Sequence, residues 1–199
     1  MGYSNFKKLE VVTKKFGLDA KSIELFATIL PIEPSSWLVD TLKKSRLAPL
    51  SNAKSKSERI VSPILVEIAE AHQNFVTLFS GEELEINADE NLSGVCDFFF
   101  TLVPKSAYIE SPFIAISAQK FIRESTAQCA AQLYGAKLFN EMEGKNIPVL
   151  YGCATDGIEW QFMRFENSVF YIDSKIYTDL KEILGVWHYV INLYIEPKN

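Results

Sequence analysis

Few side chains in this 199-residue chain could do chemistry, and two short stretches hold most of them. In "SGVCDFFFTLV" one acid, Asp97, sits in an otherwise apolar run that follows Gly94. A carboxylate there either faces solvent from an edge or is buried with hydrogen-bond partners, because an unpaired buried charge is costly. In "SPFIAISAQKFIRES" an apolar run ends on Ser117, Ala118, Gln119 and Lys120. Strand side chains alternate, so Ser117 and Gln119 share one face, and a shift of one residue presents Ala118 and Lys120 instead. Neither register supplies a second carboxylate. The remaining acids of interest are Glu58 and Glu67 in "SERIVSPILVEI", Glu124 just after the apolar run, and Glu141 much farther along.

Other chemistries find less support. His72 and His188 fall in separate predicted helices and read as ordinary surface or core histidines. There is no G-x-S-x-G elbow, no Walker A loop and no dinucleotide fingerprint. Cys96, Cys129 and Cys153 are odd in number and far apart, which points to a reduced, cytoplasmic compartment. Cys129 near a helix start has a setting that can lower a thiol pKa, but with no partner in view it reads as core.

The composition, 48% hydrophobic and 13% aromatic, is ample for a core. A net charge of −5 argues against non-specific coating of nucleic acid, which relies on clustered cations, and leaves room for a local basic groove. The opening "MGYSNFKKLEVVTKKFGLD" lacks the apolar stretch of a signal peptide. No apolar run approaches the roughly 20 residues of a membrane span, so no membrane partner is expected.

Periodicity predicts the elements that must position these residues. Leu9, Val12 and Phe16 mark a first helix, and Ile23, Phe26, Ala27 and Leu30 a second that Pro31 and Pro34 end. Ser35 or Ser36 caps a short third helix, and "SNAKSKSE" reads as a polar loop. "SERIVSPILVEIAEAHQNFVTLF" reads as one amphipathic helix kinked at Pro63, with Ile60, Ile64, Ile68 and Phe75 on one face beside Leu65 and Ala69. "EELEINAD" alternates as a half-exposed strand, "SGVCDFFFTLV" is a second, and "FIAIS", apolar on both faces, is a central third. A helix from about Arg123 to Glu143 presents Ala127, Ala130, Ala131 and Tyr134 as a small-residue face. Three strands follow, "IPVLYGCAT", "IEWQFMRFE" and "VFYIDS", the first two joined by the hairpin signal Asp156-Gly157, before a last helix.

The blocks "SERIVSPILVEI", "SGVCDFFFT", "QCAAQLYGAKLFN" and "YGCATDGIEWQFMRF" resemble restriction-endonuclease-like bacterial proteins of the PD-(D/E)XK nuclease superfamily. The resemblance implies an α/β fold with a restriction-endonuclease-like αβββαβ core and a mixed central sheet. Residues 56–199 would form that domain and residues 1–55 a helical N-terminal extension. It further implies a Mg²⁺-dependent DNA endonuclease site, in which two carboxylates hold the ion and a lysine serves the attacking water. Asp97 matches the first acid, while Ser117 and Gln119 stand in the slots of the second acid and the lysine, so the E-x-K motif is degenerate. Lys120 is the lysine of the alternative register. Glu58 matches a helix glutamate near the metal, or is a solvated helix-start residue. Glu124 supplies a displaced metal ligand, or is a first-turn acid favoured by the helix dipole. Gln128 matches a position that faces the site, or is a surface glutamine. The expectation is a nuclease fold that has lost catalysis and binds DNA, a partner protein or a second copy. A stripe of Lys105, Lys120, Arg123 and Lys137 beside Asp97 would favour DNA. The alternative is an active enzyme with a migrated acid.

Overall fold

The computed structural model describes residues 2–195. A 3-10 turn (Tyr3–Asn5) precedes α1 (Leu9–Phe16), β1 (Asp19–Ile23), α2 (Ser36–Ser45) and the single turn α3 (Ala53–Lys56). A π-helical turn (Ser57–Val61) joins α3 to α4 (Ser62–Ala71). Then come β2 (Thr77–Ser80), β3 (Phe98–Thr101), β4 (Pro112–Ala118), α5 (Ile122–Met142), β5 (Val149–Thr155), β6 (Trp160–Glu166), β7 (Val169–Asp173) and α6 (Leu180–Ile195). The seven strands form one mixed sheet in the order β1-β7-β6-β5-β4-β3-β2, so the class is α/β. The neighbours β2–β3, β3–β4, β5–β6 and β6–β7 are antiparallel, whereas β4–β5 and β1–β7 are parallel. Among the described residues no helix is long and apolar enough to cross a membrane.

The two-faced apolar run 113–117 lies inside the sheet between β3 and β5, with all seven residues of β4 buried. Its parallel partner β5 must be reached by a crossover, and α5 provides it. Small residues on α5 permit close approach: Cys129 lies against the Ala115 carbonyl at 3.3 Å, and a Cβ on Gly152 would meet Cys129 and Leu133. On the opposite face, Trp187 of α6 packs against Phe100, Trp160 and Phe162. The sheet is therefore sandwiched, α1 and α5 on one side, α4 and α6 on the other.

Four expected elements differ. The residues Ile23, Phe26, Ala27 and Leu30 are not helical: Asp19–Ile23 is an edge strand paired with β7, and residues 24–35 form an irregular strap with bends at Leu25 and Ala27. Gly17 ends α1 in the left-handed region at φ 64°, and ladder bonds to β7 then outweigh any helical preference. Phe26 anchors the strap against Tyr151, Phe162 and Tyr189. The stretch read as a polar loop is helical, because Asn52 and Ser55 form a reciprocal capping box. The helix expected to continue to Phe79 stops at Ala71, and Thr77–Ser80 forms β2 instead. β-branched and aromatic residues take the sheet edge there. "EELEINAD" makes only isolated bridges, Glu83 with Val95 and Asn87 with Leu92. The Asn87 side chain accepts from the amides of Asp89 and Glu90, offering the backbone an alternative to a ladder.

Other expectations hold in detail. Ser35 caps α2, its Oγ accepting from the Leu38 amide at 3.1 Å. A π turn precedes Pro63, the Ser62 N–H reaching back to the Ser57 carbonyl. That five-residue spacing absorbs the donor that proline lacks. The Asp156-Gly157 turn closes the β5–β6 hairpin, with Gly157 at φ 88°.

The strap crosses α6 where a side chain would not fit. A Cβ on Gly185 would lie 2.4 Å from the Leu30 carbonyl oxygen and 2.7 Å from Ile29. Because the first obstacle is backbone, Gly185→Ala should displace the strap. We expect a loss of about 2 kcal/mol, read as a Tm lower by roughly 4–8 °C in thermal denaturation.

Candidate functional site

The end of β4 is built from three chain segments. One step beyond the ladder pair Phe98–Ile116, Asp97 faces the region of Ser117. Its Oδ2 accepts from the Ala118 amide at 2.8 Å and from the Gln119 side-chain amide at 3.3 Å. The Gln119 backbone N–H donates to the Thr155 carbonyl at 3.1 Å and to Ser125 Oγ at 3.0 Å. Ser125 Oγ in turn donates to the Thr155 carbonyl at 2.9 Å. A serine in the first turn of α5 thus ties together the ends of the parallel strands β4 and β5. Crevices outside the carboxyl ends of parallel strands are where ligands bind in open α/β sheets.

Burial is the main influence on Asp97 and raises its pKa; the Ala118 N–H and the Gln119 amide oppose it by favouring the ionised form. The Ser117 hydroxyl lies close to the carboxylate, but its Oγ is fully buried and without a hydrogen-bond partner. Behind it on α5, Gln132 is buried with both amide atoms unpartnered, near Cys96. Gln128 is buried too, not a surface glutamine. The polar character of this corner continues inward as neutral amides and hydroxyls.

Three expected residues are therefore together, Asp97, Ser117 and Gln119, and the others stand elsewhere. Glu58 is exposed and pairs loosely with Lys54 at 3.8 Å. Glu124, in the first turn of α5, pairs with Lys7 at 3.1 Å. Lys120 is exposed, its Nζ 5.2 Å from the centre of the Phe121 ring. Glu67 accepts from the Ser35 amide, and Glu141 pairs with Lys137 at 2.7 Å. Of the four cations considered as a stripe, Lys120 and Arg123 lie either side of Phe121 in the sequence just after Gln119, and Arg123 lines a cleft with Lys8 and Glu10. Lys105 lies in the β3–β4 connection, at the far end of those strands. Among the described residues, no group of three or more His, Cys, Asp and Glu side chains is placed to hold a metal ion.

Sequence reasoning missed Ser125 and Thr155. A hydroxyl at a helix start followed by one at a strand end was visible, but only the crossover brings them within bonding distance. It also missed a histidine pair: His72 Nε2 and His188 Nδ1 lie 2.9 Å apart, joining α4 to α6. Burial, then the neighbouring ring, lowers the His72 pKa to about 4, and burial lowers that of His188 against a raising influence from Glu67. Both rings are neutral at pH 7, one donating its N–H to the bare nitrogen of the other.

Two titrations follow with opposite signs. A raised carboxyl pKa means that ionising Asp97 opposes folding as pH rises through its native value. Asp97→Asn keeps an acceptor and removes the charge, so its Tm at pH 7 should exceed that of the unmodified protein by about 2 °C. The gain should vanish below about pH 4. The histidines run the other way, stabilising the fold above about pH 6.5 and losing that contribution as pH falls towards 4. His72→Gln should flatten this acid limb of the pH–Tm curve.

Compared with known proteins, the chain matches no family model, no curated protein and no solved structure.

Proposed function

We propose that the chain is a catalytically silent, nuclease-like module that binds nucleic acid at the end of β4. The observation that carries this reading is the arrangement of Asp97, Ser117 and Gln119: a lone carboxylate whose Oδ2 is occupied by two N–H donors, with a hydroxyl and an amide where a second acid and a lysine would stand. The element order supports it. Helix α4, the meander β2-β3-β4, crossover α5 and returning β5 follow the succession that the sequence resemblance implies.

This donor set does not suit Mg²⁺. A hard divalent ion requires oxygen ligands with negative charge, and the candidates beyond Asp97 are neutral. Glu124 and Glu58, the acids considered as replacements, are engaged with Lys7 and Lys54 at the surface. Metal-assisted phosphodiester hydrolysis draws its rate from fixed charge and position, and one missing stabilising group typically costs on the order of 10²–10³. Two are replaced here.

Lys120 and Arg123 remain available for phosphates, and Phe121 between them is 57% exposed, an aromatic face on which a base can stack. We expect a fluorescein-labelled oligonucleotide to bind with a Kd of roughly 10⁻⁴–10⁻⁶ M, weakening steeply with salt. Lys120→Glu with Arg123→Glu should reduce the affinity at least tenfold, by loss of two phosphate contacts and gain of two repulsions. Plasmid DNA incubated with the protein and Mg²⁺ or Mn²⁺ should stay supercoiled, and calorimetry should detect no tight Mg²⁺ site. Cleavage that disappears in Asp97→Ala would overturn the silent reading in favour of a migrated acid. Absence of oligonucleotide binding would overturn the nucleic-acid reading.

A further inference from the structure

The charge of this chain is unevenly placed. Residues 40–60 hold six of its 20 Lys and Arg but only two of its 25 Asp and Glu, a local balance of +4 in a protein of −5. This segment is α2, α3 and the π turn, and it forms one wall of a groove of about 480 Å³. Leu42, Leu50 and Ile60 line that wall; Ile158 of the β5–β6 turn and Leu180 of α6 face them, and the buried Trp160 forms the floor. The lining is mainly apolar, and Arg46 and Lys56 stand among it.

One ion pair ties the two walls together, and one hydrogen bond ties the basic wall to itself. Lys56 pairs with Asp156 at 3.6 Å, and its stem rests against Gly157. Arg59 Nη1 donates to the Pro49 carbonyl at 3.3 Å, holding the α2–α3 connection. At the rim, Ile158 is 58% and Leu47 87% exposed, large apolar side chains left facing water. Lys43, Lys44 and Arg46 on the last turns of α2 have no acidic partner among the described residues, unlike Lys54 and Lys56.

We infer that this groove docks an acidic amphipathic segment of a partner protein. Apolar lining demands apolar anchors, and nucleic acid presents few; the unpaired cations at the rim demand negative charge on the other face of the same segment. The two requirements together describe a helix with leucine-like residues on one side and carboxylates on the other. Ten residues of α2 span about 15 Å, the length of roughly three turns of such a helix. The inference stands apart from the nucleic-acid reading, which concerns the end of β4.

The test uses a fluorescein-labelled helical peptide of about three turns, with leucine at i, i+3, i+4 and i+7 and glutamate elsewhere, and its counterpart with lysine replacing glutamate. Anisotropy with the full chain should give roughly micromolar affinity for the acidic peptide and at least about tenfold weaker binding of the basic one. Arg46→Glu and Ile158→Asp change exposed side chains, so both variants should keep the native circular dichroism while each weakens the acidic peptide at least about fivefold. Lys120→Glu with Arg123→Glu should leave peptide binding unchanged. Equal affinity for the two peptides, no binding of either, or unaltered binding in both groove variants overturns the inference. Displacement of the peptide by oligonucleotide that survives Lys120→Glu with Arg123→Glu also overturns it, by giving the groove to nucleic acid.

Discussion

Strand β4 has water on neither face, so each polar group at its C-terminal end must find a partner inside the protein. The Ala118 amide points at the sheet's end, where the antiparallel ladder with β3 has already finished at Phe98. Asp97 closes that gap with its side chain, accepting the N–H that no strand residue accepts. The next amide, Gln119, is taken by Thr155 and Ser125. Removing the Asp97 acceptor would leave a buried N–H unsatisfied, at a cost of about 1–3 kcal/mol. The Asp97 carboxylate is thus a structural acceptor, whatever else it does.

Close packing follows from the same constraint. A crossover helix can reach two parallel buried strands only if its inward face is small. Along α5 that face is Ala127, Cys129, Ala130, Ala131, Gly135 and Ala136. Tyr3 reaches Gly135 from the N-terminal turn, so the first residues of the chain seal the helix that seals the sheet. Bulk lies on the opposite face, where Trp160, Phe162 and Trp187 meet edge to face. Polar groups cluster where the small residues do, since room for backbone approach is also room for Ser117, Gln128 and Gln132.

The two proposed surfaces differ for a physical reason. At the end of β4, cations flank one exposed aromatic ring over a corner of neutral amides, and the recognition available there is of charge and a flat π face. Between α2 and the β5–β6 turn, cations border a groove with depth and apolar walls, and the recognition available is of shape and burial. The Lys56–Asp156 pair lies within the groove and ties the end of α3 to the hairpin. The histidine pair holds the C-terminal end of α4, and the Glu67–Ser35 contact of 2.5 Å holds its middle.

Local chemistry decided much of this protein. Alternation and apolarity marked β4 to β7, small residues marked α5, Ser35 marked its cap, and Asp156-Gly157 marked its turn, because each rests on interactions within a few residues of itself. Parity along one strand likewise put Ser117 and Gln119 on one side. What depended on distant partners could not be read in this way. β1 is a strand because β7 offers it a free edge, although the spacing of Ile23, Phe26, Ala27 and Leu30 is helical. "EELEINAD" alternates like a strand, yet finds no edge to pair with. The meeting of His72 with His188, the bridge of Ser125 to Thr155, and the basic apolar groove each join segments many residues apart. Their formation needs the closure of the sheet and the sides on which its helices pack, and only the tertiary structure decides those.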